Sequence, residues 1–210
     1  GANAFRNNQL TSIVIPDSLT SIPSSAFSGN QLSAIEIPTS VTTIGQYAFS
    51  DNQLLSVEIP TSVTTIERHA FYVNQLTDIE IPSSVTEINY GAFAMNNLSS
   101  VTLPDTITSI EEGVFEDNKL TSFVFPPGTT FIGGHALGNN LLTSIDIPSS
   151  VTEIGEYAFA DNELDSVFIP DGVYIDDWAF SDNPLRQVSV GVNTKYRTAF
   201  FPDGTERAVP

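Results

Sequence analysis

The chain has 210 residues, a formal net charge of −18 and no cysteine. This excess of acids argues against nucleic-acid binding through phosphates and against docking to an anionic membrane. The absence of cysteine excludes disulfides and thiolate metal sites. Because no apolar run approaches the roughly 20 residues of a membrane helix, no membrane insertion is predicted for this fragment.

One unit repeats along almost the whole chain at a step of 22 residues. Prolines keep this step from Pro16 to Pro170, and asparagines keep it from Asn8 to Asn162. The unit is L-x-x-I-x-I-P-x-S-V-T-x-I-G-x-x-A-F-x-x-N-x, and about nine copies fill residues 5 to 190. Such self-similarity predicts a solenoid in which each copy forms one turn and shares its core with its neighbours.

The copy at residues 73 to 93 shows how each turn is expected to fold. In LTDIEIP, Ile79 and Ile81 alternate with acids, which is the period of a half-buried strand, and Pro82 ends that strand. SVTEI is a second short alternating stretch. NYGAF then predicts a tight or briefly helical turn that buries Phe93. The predicted architecture is mostly parallel β-structure with short helical turns.

The asparagine column has a structural interpretation. An amide side chain can both donate to and accept from the backbone of its own turn and of a neighbouring turn. It therefore satisfies polar groups that a solenoid buries, and no ligand role is predicted for it.

The copy at residues 120 to 141 departs from the others. Phe123 and Phe125 stand where other copies have smaller aliphatic residues, while Leu137 stands where others have phenylalanine. Larger side chains on one wall are expected to offset a smaller one on the other. Several glycines add backbone freedom, so this turn is predicted to be the least stable.

The predicted solenoid domain covers residues 1–190 and starts in the middle of a repeat. Residues 191–210 lose the pattern and are predicted to form a divergent C-terminal cap, with the Pro-Asp-Gly turn of a hairpin in FFPDGTERAV. A linker into another domain is the alternative.

At residues 142 to 162, the string LTSIDIPSSVTEIGEYAFADN resembles the leucine-rich repeat of the BspA-like, or Treponema, type. This chain has Asn where that family often has Cys, and it steps by 22 residues where the family often uses 23. The resemblance implies a right-handed leucine-rich repeat solenoid on a bacterial surface, with roles in adhesion and protein binding. It implies an extracellular or cell-surface location. No enzymatic activity is predicted, because the sequence shows no nucleophile-base set, phosphate loop or carboxylate pair.

One outward position lies between the two inward positions of the first strand in each copy. Its residues form a row predicted to lie on the concave face, with neighbours about 5 Å apart. The three glutamates would repel one another, so they are either kept for binding or tolerated in water. Asp146 between two exposed apolar residues predicts a contact patch. The candidate ligand-binding residues are Glu36, Glu58, Glu80, Val124, Asp146 and Phe168.

The sequence leaves three functional hypotheses. The first is an adhesion module that recognises a protein or glycan on a host, on a neighbouring cell or on its own surface. The second is a structural spacer in a larger surface protein. The third is ice binding through a regular Ser-x-Thr column, although threonine suits any exposed strand.

No catalytic residue, metal site or cofactor is predicted. DNELDSVFIPDG fails the EF-hand pattern because Ser166 stands at the sixth position, where the turn needs glycine, and Gly172 stands at the twelfth, where a glutamate ligand is needed. His69 and His135 share one column with Tyr47, Tyr157 and Trp178, which predicts a packing or surface row.

Overall fold

The computed structural model describes residues 1–196, which form a parallel-strand β-solenoid of about eight turns. This confirms the leucine-rich repeat solenoid, whereas a ninth repeat is not confirmed. The second apolar stretch of each turn forms a short strand, because its alternation buries one residue and exposes the next. These strands are β1 (Ser21–Ile22), β2 (Thr43–Ile44), β3 (Thr65–Ile66), β5 (Glu87–Ile88), β7 (Ser109–Ile110), β8 (Phe131–Ile132), β9 (Glu153–Ile154), β11 (Tyr174–Ile175) and β13 (Lys195–Tyr196).

These strands pair in parallel in two sheets, with the orders β1-β2-β3-β5 and β13-β11-β9-β8-β7. Their register follows the repeat, so that Ile44 pairs with Ile66. The first apolar stretch forms strands at four places: β4 (Asp78–Glu80) pairs with β6 (Ser100–Thr102), and β10 (Ser166–Ile169) pairs with β12 (Gln187–Val190). The β4–β6 pair joins the two turns between which the other sheets are interrupted. We call the side of the solenoid that carries the first apolar stretches the strand face.

The segment after each second strand forms turns, and residues 1–196 contain no helix. The predicted short helical turns are therefore not confirmed. The amide of Ala48 donates to Gly45 O at 3.0 Å as in a helical turn, but the amide of Tyr47 donates to Arg68 O of the next turn at 2.9 Å. Tyr47 has a left-handed φ of 55°. Local and inter-turn bonds therefore alternate, and a continuous helix cannot form. We call the side of the solenoid that carries these turn segments the turn face.

Phenylalanine rings stack through the core. Phe27, Phe49, Phe71, Phe93 and Phe115 follow one another with ring centroids 5.4–6.0 Å apart. Fully burying such a side chain stabilises the fold by about 1.5–3 kcal/mol. The stack therefore supplies a large part of the apolar contact between turns.

The stack is interrupted at Leu137, where Phe123 and Phe125 connect Phe115 to Phe159 instead. Phe123 lies 5.6 Å from Phe115 and 4.9 Å from Phe125, whose ring is 6.4 Å from that of Phe159. Two phenylalanines on the opposite wall thus fill the space that Leu137 leaves. This confirms the predicted compensation, while the low stability of this turn stays a prediction.

From Asn30 onward, each asparagine of the column connects two turns. In Asn74, Oδ1 accepts from Leu54 N at 3.0 Å, and Nδ2 donates to Phe49 O at 2.9 Å and to Phe71 O at 3.1 Å. The side chain is buried, and an unsatisfied polar group there would cost about 1–3 kcal/mol. The structural interpretation of this column is confirmed.

The pairing of β13 with β11 carries the solenoid to Tyr196. The C-terminal segment predicted to be a cap therefore begins, over residues 191–196, as part of the ladder. The rest of the predicted hairpin lies outside the described residues. Within residues 1–196 there is no helix of the length and hydropathy needed to cross a bilayer.

Candidate functional site

The six predicted binding residues all lie on the surface of the strand face. The alternation of the first apolar stretch places them there, because Ile79 and Ile81 on either side of Glu80 are buried. Val124 and Phe168 are exposed over 80% and 59% of their surface. Exposure of two large apolar side chains in one row is the strongest sign of a contact surface on this face.

The structure brings two of the six residues together at a depression. Val124 and Asp146, from neighbouring turns, line a hollow of about 250 Å³ together with Phe123, Phe125, Ile147 and Pro148. Phe168 lies one turn further along, opposite Ser189 on the paired strand. The strand face therefore offers an apolar surface with one carboxylate set into it.

Glu36, Glu58 and Glu80 continue the row toward the N-terminus. All three are exposed, and Glu80 lies opposite Thr102 on the paired strand. Nothing resembling a metal site surrounds them: residues 1–196 contain no group of three or more His, Asp or Glu side chains arranged to hold an ion. Their contribution is a line of negative charge in water.

The turn face carries two groups of aromatic rings. His69 stacks on Tyr47 with 4.8 Å between ring centroids, and Tyr72 and Tyr90 meet it edge-on at 4.9 and 4.8 Å. Further along the same column, Tyr157 packs between His135 and Trp178 with ring centroids 5.0 and 6.4 Å apart. The predicted row of rings is thus confirmed, with Gly91 and Gly113 separating its two groups.

The first group has an unusual electrostatic environment. His69 Nδ1 is buried and has no hydrogen-bond partner. Burial lowers the pKa of His69, and the neighbouring Arg68 lowers it further. The Arg68 guanidinium lies over the Tyr90 ring, 4.4 Å from its centroid. This environment therefore favours the neutral form of the His69 imidazole.

The second group contains an ion pair. His135 Nδ1 lies 3.0 Å from Glu116 Oε1. Burial raises the pKa of Glu116, and the pairing with His135 opposes that rise. This pair ties neighbouring turns together.

A larger hollow, which we call the turn-face depression, lies beside the first ring group. It has a volume of about 480 Å³, and its walls include Tyr47, Tyr72, Asp51, Gln46 and several serines. Polar groups dominate its lining, in contrast to the hollow on the strand face. The sequence pattern did not identify this site.

The profile of the BspA type leucine rich repeat region matches residues 1–121 and 87–203. The chain belongs to this family. A comparison with curated proteins gives no significant match.

Solved bacterial structures share the fold of this BspA type repeat protein. A leucine-rich repeat protein from Bacteroides ovatus is 27% identical, with a TM-score of 0.80 over 91% of this chain and 54% of its own. One from Eubacterium ventriosum is 22% identical, with a TM-score of 0.66 over 94% and 59%. A leucine rich cell surface protein from Faecalibacterium prausnitzii is 24% identical, with a TM-score of 0.55 over 90% and 76%. The chain thus spans about half the length of the Bacteroides protein.

The threonine column of this BspA type solenoid belongs to its scaffold. The hydroxyl of Thr64 donates to Thr42 O at 3.2 Å, and that of Thr152 donates to Thr130 O at 3.1 Å. Each bond joins neighbouring turns. These bonds use the hydroxyl protons within the scaffold and leave the acceptor lone pairs of the column open, so ice binding stays a hypothesis.

The turn-face depression was missed because its walls come from different turns. Ser25 and Ser28 precede Tyr47 and Ser50 by one repeat, and Tyr72 follows Ser50 by another. One signal was available: the column that holds Tyr72 has serine in the two preceding repeats. A change from large to small residues along a solenoid column indicates a hollow.

Proposed function

We propose that this chain is a binding module of a secreted or cell-surface protein, and that it holds a protein partner on its strand face. The observation that carries the proposal is the exposure of Val124 and Phe168 on either side of Asp146. Leucine-rich repeat solenoids are typically protein-interaction or surface modules. The relative from Faecalibacterium is described as a cell surface protein, which supports the proposed location.

The expected partner presents apolar groups beside basic ones. The hollow at Val124 accepts an apolar side chain, and Asp146 at its edge favours a lysine or arginine. Glu36, Glu58 and Glu80 extend negative charge from this patch and would speed the approach of a basic surface. A protein suits this combination better than a neutral glycan.

The proposal is tested with the 210-residue chain displayed on beads. Binding is measured to purified basic extracellular proteins and to cultured epithelial cells. Asp146→Lys combined with Phe168→Ala is expected to weaken binding about tenfold or more, since buried anchors dominate interfaces. The matched control is Glu156→Lys with Trp178→Ala, which replaces an acid by lysine and an aromatic residue by alanine on the turn face.

A structural spacer is the alternative. It predicts that the strand-face variant binds like the parent chain, and that removing one whole repeat impairs the function of the longer protein. That pair of results would replace the binding proposal. No enzymatic activity is part of either hypothesis.

A further inference from the structure

We infer that the turn-face depression is a second binding site, and that its ligand is a neutral pyranose sugar stacked on Tyr47. This site lies on a different side of the solenoid from the patch in the proposed function, and neither depends on the other.

The first argument is the free face of the Tyr47 ring. The planes of Tyr47 and His69 are only 5° apart at 4.8 Å, so His69 covers one face. The opposite face looks toward the preceding turn, where the same column holds Ser25. Among residues 1–196 no other ring stacks on Tyr47. An aromatic face carries partial negative charge and attracts the C–H groups of a sugar ring.

The second argument is the chemistry of the walls. Asp51 and Gln46 supply planar acceptor and amide groups, and Ser28 and Ser50 are linked by a hydroxyl–hydroxyl bond of 2.9 Å at the base. No aliphatic side chain lines the depression. Most small-molecule pockets are lined mainly by hydrophobic groups, whereas these hydroxyl, amide and carboxylate walls can bond a ligand rich in hydroxyl groups.

The third argument is charge. Arg6 and Asp51 both line the depression, so its walls carry one basic and one acidic side chain. Burial first, and nearby carboxylates including Asp51 second, raise the pKa of Tyr72, so its hydroxyl stays a donor at neutral pH. Paired donors and acceptors without a surplus of positive charge favour a neutral sugar over a phosphorylated or sulfated one.

The fourth argument is the origin of the space. The column of Ser28 and Ser50 continues with Tyr72 in the next turn, where the larger side chain packs against His69 at 4.9 Å. The depression therefore exists because two turns carry small residues beside an aromatic wall. Its volume of about 480 Å³ falls within the usual range of ligand pockets.

The test measures binding of soluble oligosaccharides to the 210-residue chain by saturation-transfer NMR and by titration. The neutral probes are the tetrasaccharides of β-1,4-glucose, β-1,3-glucose, β-1,4-N-acetylglucosamine and α-mannose, and sialyllactose is the acidic probe. We expect at least one neutral probe to bind.

Two variants localise the site. Tyr47→Asn removes the ring but suits the left-handed backbone, and Ser25→Tyr covers the free ring face with a residue that the same column already accepts at Tyr157. Each is expected to weaken binding about tenfold or abolish it. The matched control is Tyr157→Asn, which removes a ring from the same column away from the depression.

Three outcomes would overturn the inference: no neutral probe binds at about 10 mM, only sialyllactose binds, or both variants bind like the parent. If Tyr47→Asn unfolds, Ser25→Tyr decides alone. The strand-face variant Asp146→Lys with Phe168→Ala keeps sugar binding, so failure of one site is distinguishable from failure of the other.

Discussion

The imidazole of His69 lies on the phenol ring of Tyr47, with 4.8 Å between centroids and 5° between planes. The contact holds a titratable ring between two turns of the solenoid, next to a guanidinium that repels its charged form. Protonation therefore acts directly on the packing of one turn against the next.

This arrangement predicts a pH-dependent stability. Because the pKa of His69 is lowered in the folded chain, the unfolded chain binds more protons, and the free energy of unfolding falls as pH drops below about 6.5. His69→Tyr keeps a stacking ring without this titration, and it is expected to flatten the slope. Urea unfolding of both chains between about pH 5.5 and 7.5 measures the difference. An identical slope in the variant would contradict the prediction.

The asparagine column predicts a costly substitution at Asn96. Asn96→Ala leaves Leu76 N and the carbonyls of Phe71 and Phe93 without a hydrogen-bond partner. In the parent chain, the side-chain amide of Asn96 lies 3.0–3.1 Å from each of these groups. We expect a loss of about 2–4 kcal/mol, since each buried unsatisfied group costs about 1–3 kcal/mol. The control is Asn8→Ala, whose exposed amide donates to Arg6 O of its own turn. Equal effects at both positions in urea unfolding would refute the prediction.

Val73 occupies a position that its side chain disfavours. Its φ is 54°, and a β-branched residue is strained in this left-handed region. Asparagine occupies the same column at Asn139, so Val73→Asn is expected to stabilise the fold by about 1 kcal/mol. The reverse change, Asp161→Val at φ 52°, should lower the melting temperature by a comparable amount. A melting temperature that falls in Val73→Asn would show that packing of the valine outweighs the strain.

The interruption of the phenylalanine stack at Leu137 predicts that mutations at Leu137, Phe123 and Phe125 have coupled effects on stability. Leu137→Phe alone overfills the core and should cost about 1–3 kcal/mol. Phe123→Val with Phe125→Ile, which restores the side chains of other copies, should leave a cavity and cost about 2–5 kcal/mol. All three changes together are expected to fall within about 1 kcal/mol of the parent, because the volumes compensate. Simple additivity of the two costs in urea unfolding would contradict the compensation.

Much of the scaffold could be predicted from the repeat. The burial of Ile79 and Ile81 and the bonding of Asn74 followed from alternation and from amide chemistry. The exposure of Val124 and Phe168 followed from the same alternation. Each of these depends on one position repeated at a fixed step.

The turns could not be predicted in the same way. The NYGAF stretch has a helical local bond from Ala92 N to Asn89 O, but the competing bond comes from the next turn, between Gly91 N and Glu112 O. The turn-face depression depends on Ser25, Ser50 and Tyr72 meeting across three turns. A consensus averages over such differences between copies and hides them.

The direction of the asparagine bonds gives the solenoid a polarity. Leu76 N is bound by an asparagine 20 residues later in the chain, and Phe71 O by the same asparagine 25 residues later. A turn therefore has these buried backbone groups paired only when the following turn is packed against it. Every turn depends in this way on its C-terminal neighbour.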